Sequence, residues 1–213
     1  MYIPQHFRQR DHQAIQDLIQ AHALAILVTD VDGRLQATHV PVVLDREHGP
    51  WGRLRFHLAR ANPVSRILDG AREVLMIFTG PQCYVSPDWY DSEHQVPTWN
   101  YAAVHAYGKP VPMDDGALCR QLDDLSASQE TRLPKPAWTT AKLPPERYAK
   151  KRSAIAGFAM PIDLVESKCK MNQDRQVADR EGVIVALTEL GGDHRSAVAA
   201  IMRNLGSGDL RKP

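Results

Sequence analysis

The stretch Leu54–Leu68, LRFHLARANPVSRIL, decides the reading of this chain, because it passes from a strand to a capped turn. Leu54, Phe56 and Leu58 alternate with Arg55, His57 and Ala59, the period-two pattern of a strand with one face in a core. Asn62-Pro63 then reads as a helix start: Asn is a favoured N-cap, and proline at the first helical position lacks only an N–H that would have no intrahelical partner. The pattern predicts a short helix from Pro63 whose first-turn amides and positive dipole end face an anion such as a phosphate, with Arg60 beside them. From this stretch alone the same residues better suit a surface helix with a solvated arginine.

On the N-terminal side, Asp11–Ala21 has helical spacing through Ile15, Leu18 and Ile19, and Leu24–Thr29 is an apolar run. Asp32-Gly33 predicts a hairpin into a strand over Leu35–Leu44. Pro41 cannot donate to a ladder, so the sheet is expected to be interrupted there, at an edge, a bulge or an opening. On the C-terminal side, Val74–Phe78 reads as a buried strand bounded by Gly80-Pro81. Thr79–Thr98 reads as a long irregular loop rich in proline and aromatics, a composition that points to function rather than disorder. Trp99–Gly108 resumes alternation with Trp99, Tyr101, His105 and Tyr107 on one face. Gly116–Ser126 is a helix, Thr131–Pro145 a surface crossing, Glu146–Arg152 a basic helical piece and Ile155–Val165 a strand; the chain turns polar after Gln173 and ends in a helix over Ser196–Leu205.

Five or six strands joined mostly by short connections predict a mainly β, α+β fold: a small antiparallel barrel with peripheral helices. Residues 1–190 are expected to form one domain, with the C-terminal helix and tail of 191–213 packed on or beside it.

With 26 Lys and Arg against 25 Asp and Glu, the chain has no global field for steering onto nucleic acid, so DNA remains a possible partner unsupported by charge or motif. Cys83, Cys119 and Cys169 are widely spaced and odd in number, as free thiols in a reducing cytoplasm would be. No run of 18 apolar residues and no export signal is present, so neither membrane nor secretion is expected. His39, His57 and His105 fall on separate strands without paired ligand spacing, and no metal is expected. Walker, dinucleotide and nucleophile-elbow motifs are missing. A helix start for a phosphate, an aromatic strand face and the cations and amides of Lys170–Arg175 together suit a phosphorylated planar cofactor such as FMN, although each also suits core or surface.

The segments MYIPQHF (1–7), ATHVP (37–41), HLARANP (57–63), IFTGPQCYVSPDWY (77–90), VPTWNYAAVHAYG (96–108), KMNQDR (170–175) and DREGV (179–183) resemble, in order, the signatures of the PaiB family of FMN-binding negative transcriptional regulators. The resemblance implies an FMN-binding split β-barrel, similar to pyridoxamine-phosphate oxidases and flavin reductases, and a homodimer with the cofactor at the subunit interface. Where that family usually reads KLSQNR, this chain places Asn172 and Asp174. On these grounds Arg60 and Asn62 are expected at the phosphate, with His39 and His57 lining the same cleft. Trp99, Asn100 and Tyr101 are expected near the ring, and Lys170, Gln173 and Arg175 would close the site. The expected role is transcriptional regulation; the alternatives are a flavin-dependent oxidoreductase and, less favoured, a haem-binding or haem-degrading protein.

Overall fold

A computed structural model describes residues 1–207; residues 208–213 of the expected C-terminal tail lie outside the described residues. Eight strands and five helices follow in the order α1 (His12–Ala21), β1 (Leu24–Val31), β2 (Arg34–Asp45), β3 (Arg53–Ala59), β4 (Val74–Val85), β5 (Thr98–Gly108), β6 (Val111–Pro112), α2 (Asp115–Glu130), α3 (Pro145–Ser153), β7 (Ile155–Pro161), β8 (Leu164–Lys170), α4 (Val177–Leu190) and α5 (Asp193–Ser207). The strands neighbour one another in the order β6-β7-β3-β2-β1-β4-β5-β8. The chain forms two units: residues 12–78 with 105–166, and residues 1–11 with 79–104 and 167 onward.

In the first unit, α1 buries Ile15 and Ile19, one turn apart on one face. Asp32 and Gly33 both have positive φ (54° and 79°), and Val31 pairs with Arg34, so β1 and β2 form the predicted two-residue hairpin. Pro41 falls where β2 changes partner. Leu24–Val31 pair with residues 34–41, whereas only residues 42–45 pair with β3, through Val42↔Phe56 to Asp45↔Arg53. The missing N–H sits at that switch, which is the predicted interruption. β3 continues into β7 over seven paired positions, and Phe56 stacks on Phe158 with ring centroids 5.6 Å apart. The run Ile155–Val165 is two strands rather than one. The amides of Ile162 and Asp163, between the end of β7 and the start of β8, donate to the Gly52 and Tyr107 carbonyls (3.1 and 2.9 Å).

In the second unit, β4 does not stop at Gly80-Pro81 but runs to Val85. Its pairing with β1 covers only Leu75–Ile77, so the missing N–H of Pro81 removes no bond from that ladder. Helix α4 occupies the stretch that reads as polar in sequence. Val183, Ile184 and Leu187 form its buried stripe, and α5 adds Val198 and Met202. An added Cβ at Gly182 would stand 2.2 Å from the Trp89 carbonyl oxygen, so only glycine lets α4 lie this close to the turn Pro87–Trp89.

Candidate functional site

The residues after β3 form a 3-10 turn of four residues, Pro63–Arg66, rather than a helix. Asn62 is the cap, as expected, and its Oδ1 accepts from the Val64 amide (3.0 Å). Its carbonyl accepts from the Ser65 amide (3.0 Å) and the Ser65 hydroxyl (2.8 Å), and the Ile67 amide donates to Val64 (3.2 Å). These amides are committed inside the turn. One turn also supplies almost no macrodipole, so the backbone cradle that the sequence suggested for an anion is not formed. The serine back-bond competes with helix propagation, and Gly70 at φ 89° ends the segment. Arg60 remains exposed. Its Nε donates to the Ser153 carbonyl (3.1 Å), leaving both terminal nitrogens open. Beside the turn, Arg66, Asp69 and Arg72 line a cleft of about 370 Å³.

The two histidines diverge. His39 is exposed on β2, whereas His57 is half-buried with Nδ1 3.1 Å from Gln121 Oε1 on α2. Burial pulls the His57 pKa below its ordinary value, and the Gln121 contact opposes that pull. Gln121 is itself fully buried with Nε2 unpartnered, so this pair belongs to the seat of α2.

In the other unit, strand alternation separates Trp99 from Asn100. Trp99 is 49% exposed, its indole N–H held by Gln82 Oε1 (2.6 Å) and its ring edge-on to Tyr84. Asn100 is fully buried toward α5, with Nδ2 3.5 Å from Met202 Sδ and Oδ1 without a partner. Asn100 therefore does not share a face with Trp99. Tyr101 instead lies 5.3 Å from the Lys168 ammonium, which also donates to the Tyr2 carbonyl (3.3 Å).

Lys170–Arg175 is a tight turn that grips the loop ahead of β5. Gln173 spends both ends internally, accepting from the Met171 amide (2.6 Å) and donating to the Cys169 carbonyl (2.5 Å). Asn172 adopts φ 61° and donates to the Tyr90 hydroxyl (2.8 Å). Asparagine accepts this left-handed conformation more readily than most residues, which accounts for its presence here. Lys170 donates to Thr98 Oγ1 and the Trp99 carbonyl, and burial lowers its pKa. Arg175 lies over the Tyr90 ring (5.2 Å) and donates to Gln95, while Asp174 points to solvent. Buried Asp179 on α4 accepts from the Ser92 amide (2.8 Å) and hydroxyl (2.9 Å), and these bonds hold its pKa down. The predicted long loop is thus shortened to residues 86–97 and pinned.

The aromatics of the stretch 79–98 read in sequence as a rim for a flat ring, but Gln82, His194 and Arg195 were not read as neighbours of Trp99. Gln82, Tyr84, Trp89, His194 and Arg195 join it around a cleft of about 730 Å³, and the Gln82 amide donates to His194 Nδ1 (3.3 Å). The available signal was the aromatic run YVSPDWY, whose Ser86 caps the Pro87–Trp89 turn. Within the unit that holds Trp99, Lys170 and Arg175 have no ion-pair partner among the described residues and Trp99 offers a half-open indole, groups whose chemistry suits a phosphorylated planar ring; Arg60, in the other unit, is likewise without an ion-pair partner among the described residues.

Residues 1–164 match the family described as "Putative FMN-binding domain". The chain is 30% identical over 205 residues to the Bacillus subtilis (strain 168) "Protease synthase and sporulation protein PAI 2", covering 96% of this chain and 97% of that one. Among solved structures, a "FAD and Heme binding protein" from Mycobacterium smegmatis superposes with a TM-score of 0.56 at 17% identity, over 87% of this chain and 80% of that one. A "putative 5-nitroimidazole antibiotic resistance protein" from Bacteroides thetaiotaomicron gives 0.54 at 13% identity, over 76% and 85%. At these identities the likeness is one of fold, the antiparallel split barrel with peripheral helices. From the match over residues 1–164 and the full-length identity to PAI 2, the chain belongs to the putative FMN-binding domain family, as a PaiB-like split-barrel protein.

Proposed function

We propose that this protein binds FMN as a homodimer and acts as a transcriptional regulator of the PaiB type. The observation that carries the reading is near-full-length similarity to PAI 2 on top of the family match. Each residue assignment is a separate claim. Arg60 binds phosphate through its open guanidinium nitrogens by charge-assisted hydrogen bonds. Trp99, with its indole orientation fixed by Gln82, presents an aromatic face to the ring. Lys170 and Arg175 each keep N–H groups for acceptors on the cofactor. When bound, FMN supplies redox chemistry, and the protein supplies position and electrostatics. Free Cys83, Cys119 and Cys169 support a cytoplasmic location. Burial raises the Cys83 and Cys169 thiols to about 11, which keeps them unreactive.

The test is the absorbance spectrum of protein purified without added flavin, followed by FMN titration and sizing. Saturable one-to-one binding per protomer supports the reading; failure to bind FMN at any concentration below a millimolar overturns it. The half-open cleft beside Trp99 favours a second reading, a flavin-dependent oxidoreductase with room for another planar molecule. Bleaching of the yellow complex by NADH or NADPH selects that reading, and retardation of promoter DNA selects the first.

A further inference from the structure

The near-neutral charge of the chain conceals a strong partition. Residues 132–152 hold seven of its 26 Lys and Arg and one of its 25 Asp and Glu, so this segment carries +6 and the remainder −5. The structure divides those seven cations by task. Four are tied to the protein: Arg132 donates to the Gln20 carbonyl (3.0 Å), Lys135 pairs with Glu130, Lys142 donates to the Ala137 carbonyl (3.3 Å), and Arg152 pairs with Asp115 (2.8 Å). The other three, Arg147, Lys150 and Lys151, are exposed, and the described residues give their side chains no hydrogen bond or ion pair. They stand at i, i+3 and i+4 on α3 and so share one face. The inner side of the helix carries half-buried Tyr148 and Arg152, with the guanidinium 5.6 Å from the Tyr148 ring and 3.1 Å from Cys119 Sγ on α2.

We propose that the outer face of α3 is a docking surface for the phosphate backbone of duplex DNA, with Arg147, Lys150 and Lys151 each neutralising one phosphate. Three exposed cations gathered within about one helical turn, on a short helix anchored by its opposite side, suit the closely spaced charges of a polyanion. The helix exposes no large apolar side chain: its remaining exposed residues are Pro145, Glu146, Ala149 and Ser153. An interfacial membrane helix needs such side chains, so an anionic bilayer is the poorer fit. The surface contacts phosphate and holds no base-reading element, so it supplies affinity and orientation rather than sequence choice. The inference deepens the regulator reading, yet its test does not depend on flavin.

The experiment is fluorescence anisotropy of a labelled 20-base-pair duplex with the full chain across a salt series. The triple variant Arg147→Gln/Lys150→Gln/Lys151→Gln is compared with a charge-matched control, Arg10→Gln/Arg34→Gln/Lys109→Gln, at three exposed positions elsewhere. Each phosphate contact contributes about 0.9 to the slope of log K against log salt, so the α3 variant should lower the slope by about 2.7 and the control by less than about 1. Equal slopes for the two variants overturn the proposal, as does wild-type binding to anionic phospholipid vesicles without binding to the duplex. Unchanged melting temperature and FMN titration of the α3 variant separate a failure here from failure of the flavin reading.

Discussion

Asn62 and Arg60 stand two residues apart and read alike in sequence, yet the structure gives them different work, which a paired substitution resolves. Asn62→Ala removes the Oδ1 that caps the Val64 amide at 3.0 Å and an Nδ2 contact to Thr38 Oγ1 at 3.4 Å. Loss of an N-cap costs about 1 kcal/mol within a range of roughly 0.5–2, and the long Thr38 contact adds little. For a chain of this size that corresponds to a fall in Tm of about 2–4 °C per kcal/mol. Arg60→Ala removes an exposed side chain whose one protein bond is to the Ser153 carbonyl, so stability should change by less than about 0.5 kcal/mol. Its effect should appear in FMN affinity instead: losing a hydrogen bond to a charged group costs about 1.5–3 kcal/mol, or roughly 10- to 150-fold in Kd. Urea unfolding followed by both tryptophan fluorescence and far-UV circular dichroism measures the first quantity, and FMN titration the second. Asn62→Ser, which preserves a capping oxygen, should recover most of the stability. If Asn62→Ala leaves the urea midpoint unmoved, the turn is not held as described; if Arg60→Ala leaves the FMN Kd unmoved, the phosphate is bound elsewhere.

Helix propensity alone says that Gly182→Ala should stabilise α4, but the new Cβ would meet the Trp89 carbonyl at 2.2 Å. Net destabilisation of about 1–3 kcal/mol is expected by thermal denaturation, and a raised Tm would disprove the close packing. His57 has a folded pKa below its unfolded value because it is buried, so the unfolded state binds the proton first and stability falls as pH drops below about 6.5. His57→Gln should flatten the urea midpoint between pH 6.5 and the folded pKa; an unchanged slope refutes the assignment. Asp179 has the opposite sign: Ser92 and Asp91 hold its folded pKa below the unfolded value, so its contribution is full above the ordinary carboxylate pKa and is lost as pH falls through the folded one. The wild-type advantage over Asp179→Ala should be constant from pH 5 to 8 and shrink in acid, and an advantage that grows on acidification would contradict it.

Local chemistry made much of this fold legible in the sequence. The alternation of Leu54, Phe56 and Leu58, the Asp32-Gly33 hairpin and the cap at Asn62 each follow from contacts within a few residues, and each appears as read. Pro41 was legible for the same reason, since a residue without an N–H must interrupt a ladder somewhere. The ordered resemblance of HLARANP, VPTWNY and their companions gave the family before any coordinate.

What the sequence left undecided depends on partners distant along the chain. Whether the amides after Asn62 face an anion or each other turns on Ser65 and on how far the helix runs, and one turn proved too short. Asn100 went to α5 and His57 to Gln121, because the strands carrying them are covered by helices from far along the chain. The loop before β5 is shortened because β4 outruns its pairing with β1 and Asp179, 87 residues beyond Ser92, pins what remains. Periodicity reports which face of an element is apolar; only the packed tertiary structure decides which polar groups are spent holding it together and which are left to bind something else.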